Sequence, residues 1–137
     1  MIDVNGNQAV LHAFVGEARE RLAAVERKLD ALKSRPGNAV LWNAICRDFH
    51  AVTRGAAFFD VTPLLELCQW VETLFDELRD GNPILSTQLQ DVMTEATRAV
   101  LTMIEDIAHD RQPSAELALV GRLREAVNAR TSRRESP

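Results

Sequence analysis

Asn43-Ala44-Ile45-Cys46-Arg47-Asp48-Phe49-His50, followed within a few residues by Gly55-Ala56-Ala57-Phe58-Phe59, sets both the fold class and the chemistry to look for. Leu41, Ile45, Phe49, Val52, Ala56 and Phe59 recur at steps of three and four, the period of one helical face. That stripe predicts a buried side, and His50 flanks it without joining it. Its ring is therefore held by a helix yet partly open to water. A neutral imidazole is nucleophilic and proton-labile near neutral pH without strong activation, which suits it to take up and release a phosphoryl group.

Further helical patterns lie on either side. From about Gln8 to Lys33, Leu11, Phe14, Val15, Ala18, Leu22, Val25, Leu29 and Leu32 form an inward row that Pro36-Gly37 ends. Asn38 is placed to cap the helix of His50, which fades near Phe58. Thr62 reads as the next N-cap with Pro63 at the first helical position, and Leu64, Leu67, Cys68, Val71, Leu74, Phe75 and Leu78 face inward before Gly81. Ser86 caps a fourth helix whose row runs from Leu89 through Val92, Met93, Ala96, Val100, Met103 and Ile104 to Ile107. Its end is marked by His109 to Pro113. A weaker fifth pattern, from Ser114 to about Ala129, carries Leu117, Val120, Leu123 and Val127 and predicts a helix on the side or end of the others. No strand pattern competes. Short connections between long amphipathic helices favour antiparallel neighbours, so the expected fold is all-α: an up-down-up-down four-helix bundle with an additional C-terminal fifth helix. Residues 1–130 would form the domain, and 131–137 a polar tail or the start of a linker.

A chain of 137 residues is long enough for one continuous core. The net charge of -4, with basic residues scattered among acids until the Arg-rich tail, argues against a nucleic-acid partner. No apolar run reaches the length of a membrane span, so no membrane contact is expected. Cys46 and Cys68 fall at apolar helical positions, as in a reduced, cytoplasmic protein. Cys46 and His50 stand one turn apart, but zinc takes three or four convergent ligands, and no metal site is expected. His12 and His109 have no chemical neighbours in sequence. There is no glycine-rich phosphate loop and no acidic metal cluster, so the domain should bind no cofactor and should be the substrate of a kinase rather than one itself.

The run from Asn43 to His50, then Gly55 to Phe59, then Trp70-Val71-Glu72-Thr73-Leu74-Phe75-Asp76-Glu77-Leu78-Arg79-Asp80-Gly81, resembles the histidine phosphotransfer (HPt, P1-type) domain of CheA-like chemotaxis kinases. In that family a histidine follows an arginine by three positions and opens an H-x-x-K-G run, and a glutamate with an E-x-x-L-x-D-x-x-R-x-G pattern comes one helix later. The register holds ungapped from Asn43 to Gly81, and more loosely back through Phe14 to Leu32. Three positions depart: Thr53 stands for the lysine, Arg54 for the following glycine, and Gln69 for a second histidine.

The resemblance implies a two-component phosphorelay, with His50 as phospho-acceptor and Glu72 holding its second ring nitrogen. Arg47 and Arg54, each within a turn of His50, would offset phosphoryl charge. Gln69 and Thr53 would border the site. The implied partners are a histidine-kinase catalytic domain, which supplies ATP chemistry from outside this chain, and a response-regulator receiver domain. The isolated domain would be a monomer. Two other readings stand beside it: a degenerate bundle that only docks to kinase or regulator, motivated by Thr53 and Arg54, and a generic helical structural domain.

Overall fold

A computed structural model describes residues 4–81 and 85–135, with side chains over 8–81 and 85–130. Five helices follow in order: α1 (Val4–Leu32), α2 (Ala39–Ala57), α3 (Thr62–Asp80), α4 (Thr87–Ala108) and α5 (Leu117–Glu135). No strand occurs among the described residues. Contacts join α1 to α2, α2 to α3, α3 to α4 and α4 to α1, and no diagonal pair meets, which is the ring of an up-down-up-down bundle. α5 lies along α3 and α4, on the side of that ring.

The capping chemistry explains the breaks. The Asn38 side chain accepts the Leu41 N–H at 3.0 Å and the Ser86 hydroxyl accepts the Leu89 N–H at 3.1 Å, so α2 and α4 start where sequence placed them. Thr62 differs from expectation: it is the first residue of α3, Val61 takes the cap position, and no side chain satisfies the cap there. Pro63, which lacks an N–H, removes one of the donors that a cap would have served. Asp60 closes the α2–α3 connection with a positive φ of 55°.

The expected rows face the core, from Val15 to Leu32 on α1 and from Leu64 to Leu78 on α3. On α2 the structure adds Trp42, which is 2% exposed and donates its indole N–H to the Pro36 carbonyl at 2.8 Å. Leu41, expected in the row, is only half buried. α5 starts at Leu117 rather than Ser114, and Leu117 is exposed instead of inward; Leu119, Val120, Leu123 and Val127 make the seam. Pro113 is buried within the irregular stretch that precedes the helix. α5 also continues to Glu135, through residues expected in a polar tail; residues 136–137 lie outside the described part.

Candidate functional site

Phe49, fully buried, meets Phe75 edge-to-face at 5.5 Å, a contact worth about 1 kcal/mol beyond area burial. Asp48, on the other flank, reaches α1: its carboxylate takes Arg21 at 3.1 Å and Lys28 at 2.5 Å. Phe49 and Asp48 together fix the rotation of α2 between its two neighbours, and the next residue, His50, turns outward.

The His50 side chain is 62% exposed, and its Nδ1 lies 2.9 Å from Glu72 Oε1 on α3. Glu72 is 23% exposed, so the carboxylate sits at the seam while the ring stands clear of it. A carboxylate accepts from Nδ1–H, and a neutral imidazole that donates from Nδ1 carries its lone pair on Nε2, the nitrogen away from Glu72. One side of the imidazole is thereby oriented.

The remaining expected residues are placed unevenly. Arg47 and Arg54 are exposed on α2, one turn before and after His50, and among the described residues neither makes an ion pair. Thr53 is half buried; its hydroxyl donates to the Phe49 carbonyl at 3.2 Å and also meets the Cys68 thiol. Its side chain is thus turned to the α2–α3 seam and away from the ring. Gln69 is exposed on α3, one turn before Glu72. Residues that sequence reasoning passed over, Asp48 with Arg21 and Lys28, position the helix rather than touch the ring. Their signal, an acid beside an apolar stripe, is indistinguishable in sequence from a solvated one.

Cys46 and Cys68 are free and buried. Desolvation pushes both thiols up to about 12; the Arg79 guanidinium partly opposes this at Cys46, and the Thr53 hydroxyl does so at Cys68. They are core thiols without nucleophilic character. Among the described residues no three His, Cys, Asp or Glu side chains converge as a metal site. Among the described residues no helix is long and apolar enough to cross a membrane.

The fold is thus a helical bundle that displays His50 on a lateral face, with a carboxylate from the next helix at its Nδ1. The chain belongs to the Hpt domain family, whose model matches residues 9–129. It is 28% identical over 109 residues to the chemotaxis protein CheA of Listeria monocytogenes, and 31% identical over 102 residues to that of Salmonella typhimurium. Those alignments cover 80% and 74% of this chain but only 18% and 15% of the relatives, so the chain spans less than a fifth of their length. The fold matches the phosphorylated P1 domain of CheA3 from R. sphaeroides, solved in complex with CheY6, with a TM-score of 0.80 at 18% identity over 89% of this chain and 98% of that one.

Proposed function

We propose that His50 is the phospho-acceptor of a CheA-like phosphorelay. The observation that carries this reading is the 2.9 Å contact of Nδ1 with Glu72 on a ring whose side chain is 62% exposed, which orients the imidazole by one nitrogen and leaves Nε2 as the nitrogen without that partner. A separate ATP-binding domain presents ATP; the Nε2 lone pair attacks the γ-phosphorus, the P–N bond forms, and the bond to the ADP oxygen breaks. Glu72 stabilises the charge that develops on the ring, and Arg47 and Arg54 offset the phosphoryl oxygens. An aspartate of a response-regulator receiver then attacks phosphorus, and the N–P electron pair returns to Nε2. The domain acts as a monomer in the cytoplasm and binds no cofactor of its own.

The test is incubation of the chain with a CheA-type catalytic domain and labelled ATP. An acid-labile, base-stable label that disappears in His50→Gln is the expected result; equal labelling of that variant removes His50 from the role. One observation favours a docking-only module: Thr53, at the family's lysine position, has its hydroxyl committed to the Phe49 carbonyl. In that case no label forms although kinase or receiver still binds.

A further inference from the structure

Asp48 and His50 lie two residues apart on α2, about 200° around the helix, so their side chains leave it on nearly opposite flanks. His50 goes to Glu72 of α3, and Asp48 goes to α1. There each carboxylate oxygen takes its own cation: Oδ1 accepts from Arg21 Nη1 at 3.1 Å and Oδ2 from Lys28 Nζ at 2.5 Å. The two cations are about two turns apart on one face of α1, so a slide of α2 toward either lengthens the bond to the other. Arg21 is itself steadied by Glu17, one turn back, at 2.9 Å. The Asp48 side chain is 16% exposed and is the only acid on α2, so no other side chain of that helix can replace it.

The apolar core leaves the roll of α2 loosely set. Ile45, Phe49, Val52 and Ala56 are buried, but apolar burial has no direction and changes little when a helix turns by a few degrees. Side-chain atoms stand about 5–6 Å from a helix axis, so a roll of roughly 10° carries the His50 ring by about 1 Å. A contact of 2.9 Å lengthened by that much is no longer a hydrogen bond. Charge pairs are far steeper in distance and angle, and the Asp48 clasp meets α1 at the level of His50. On the other side α3 has its own outer brace: Trp70, two residues before Glu72, lies beneath the Arg124 guanidinium of α5 at 5.7 Å.

Resting on the phosphorelay reading above, we propose that Asp48 is a positioning residue for phosphoryl transfer, which, clasped by Arg21 and Lys28, sets the roll of α2 that holds the His50 ring on Glu72. It touches neither the ring nor the phosphoryl group, and it acts only through the Nδ1–Glu72 contact.

The experiment uses the whole chain, with a CheA-type catalytic domain and labelled ATP for the rate and nitrogen-15 spectra of the free chain for the ring. Asp48→Asn keeps the shape but leaves one acceptor oxygen for two cations and no charge. Phosphorylation at saturating chain should slow roughly threefold to fivefold, less than in Glu72→Ala, with KM little changed. The ring spectra should move toward the mixture of tautomers, and Asp48→Glu should recover part of both effects. Lys28→Gln, at a partly exposed position that leaves Arg21 in place, should give a smaller change of the same kind, which guards against an unfolded Asp48 variant. In a Glu72→Ala chain, Asp48→Asn should slow the reaction no further, because the contact it serves is already gone. A lower thermal midpoint with unchanged ring spectra and rate overturns the proposal and leaves Asp48 a strut alone, as does a full additional loss of rate in the Glu72→Ala chain. If His50 of the wild type takes no label, the phosphorelay reading fails by itself, and the ring spectra still decide whether Asp48 holds the imidazole on Glu72.

Discussion

Phe14 of α1 lies so close to Gly55 of α2 that a Cβ on the glycine would stand 2.6 Å from two atoms of the phenylalanine ring. The ring is backed by Phe59 at 5.2 Å, so it has little room to retreat. Alanine at a helical glycine ordinarily gains about 1 kcal/mol, while forcing a packed ring aside costs roughly 1–3 kcal/mol. Gly55→Ala should therefore destabilise the bundle by about 1 kcal/mol in urea denaturation. Phe14→Leu in the same chain should turn the alanine from harmful to neutral or better; an unconditional gain from Gly55→Ala would show that the ring yields freely.

Glu72→Ala removes the acceptor for Nδ1–H. A hydrogen bond to a charged group contributes about 1.5–3 kcal/mol, and at this partly exposed seam the lower end applies, which corresponds to phosphorylation slowed about tenfold. Nitrogen-15 spectra of the ring should show the proton moving from Nδ1 toward a mixture of tautomers. Identical ring spectra in both proteins would return Glu72 to an ordinary surface role.

Arg54 occupies the position of the family's glycine, four residues after His50. Solvent screens an exposed guanidinium, so Arg54→Ala should slow His50 phosphorylation only threefold to tenfold, roughly, rather than by the larger factors of a buried donor. The opposing outcome is steric relief. Faster phosphorylation in Arg54→Gly, and faster still with Thr53→Lys, would mark the arginine as an obstruction.

Two features give stability opposite slopes at the ends of the pH range. Arg19 on α1 donates its Nη2 to Glu105 Oε2 on α4 at 2.7 Å, and this bond holds the Glu105 carboxyl below its ordinary value of 4.5. That stabilisation is present above pH 4.5 and lost as pH falls through the lower folded value, so Arg19→Met should lower stability at neutrality and flatten the acid limb, the difference from wild type closing in acid. At the other end, Cys46 and Cys68 are pushed from 9.0 up to about 12, and an unfolded chain would ionise them first. Stability should fall as pH rises above 9, less steeply in Cys68→Ala after allowance for its smaller core volume.

Much of this architecture was legible because helical burial writes itself as a period. The rows of α1, α3 and α4 needed only the three-and-four spacing, and Asn38 and Ser86 announce their caps by residue type. Trp42 was not legible, since its neighbour Leu41 fits the same stripe and only the return of Pro36 over the indole decides between them. α5 was misread at its start because Leu117 keeps the period, although as the first residue of the helix it lies exposed and the seam begins at Leu119. At the site, His50 and its neighbours on α2 followed from local spacing, and Glu72 from resemblance. What no local pattern carries is the direction of a side chain with two possible partners. Thr53 could have faced the ring, and Asp48 could have faced water; helix packing sent one to the seam and the other to α1.

The placement of the two tryptophans gives the bundle separate optical signals. Trp42 is sealed under the α1–α2 turn with its N–H on Pro36, whereas Trp70, half buried on α3, lies beneath the Arg124 guanidinium of α5 at 5.7 Å. Fluorescence from Trp70 therefore reads the seating of the fifth helix, and that from Trp42 the integrity of the hinge next to the His50 helix, so one cuvette can tell a bundle that has shed α5 from one that has opened.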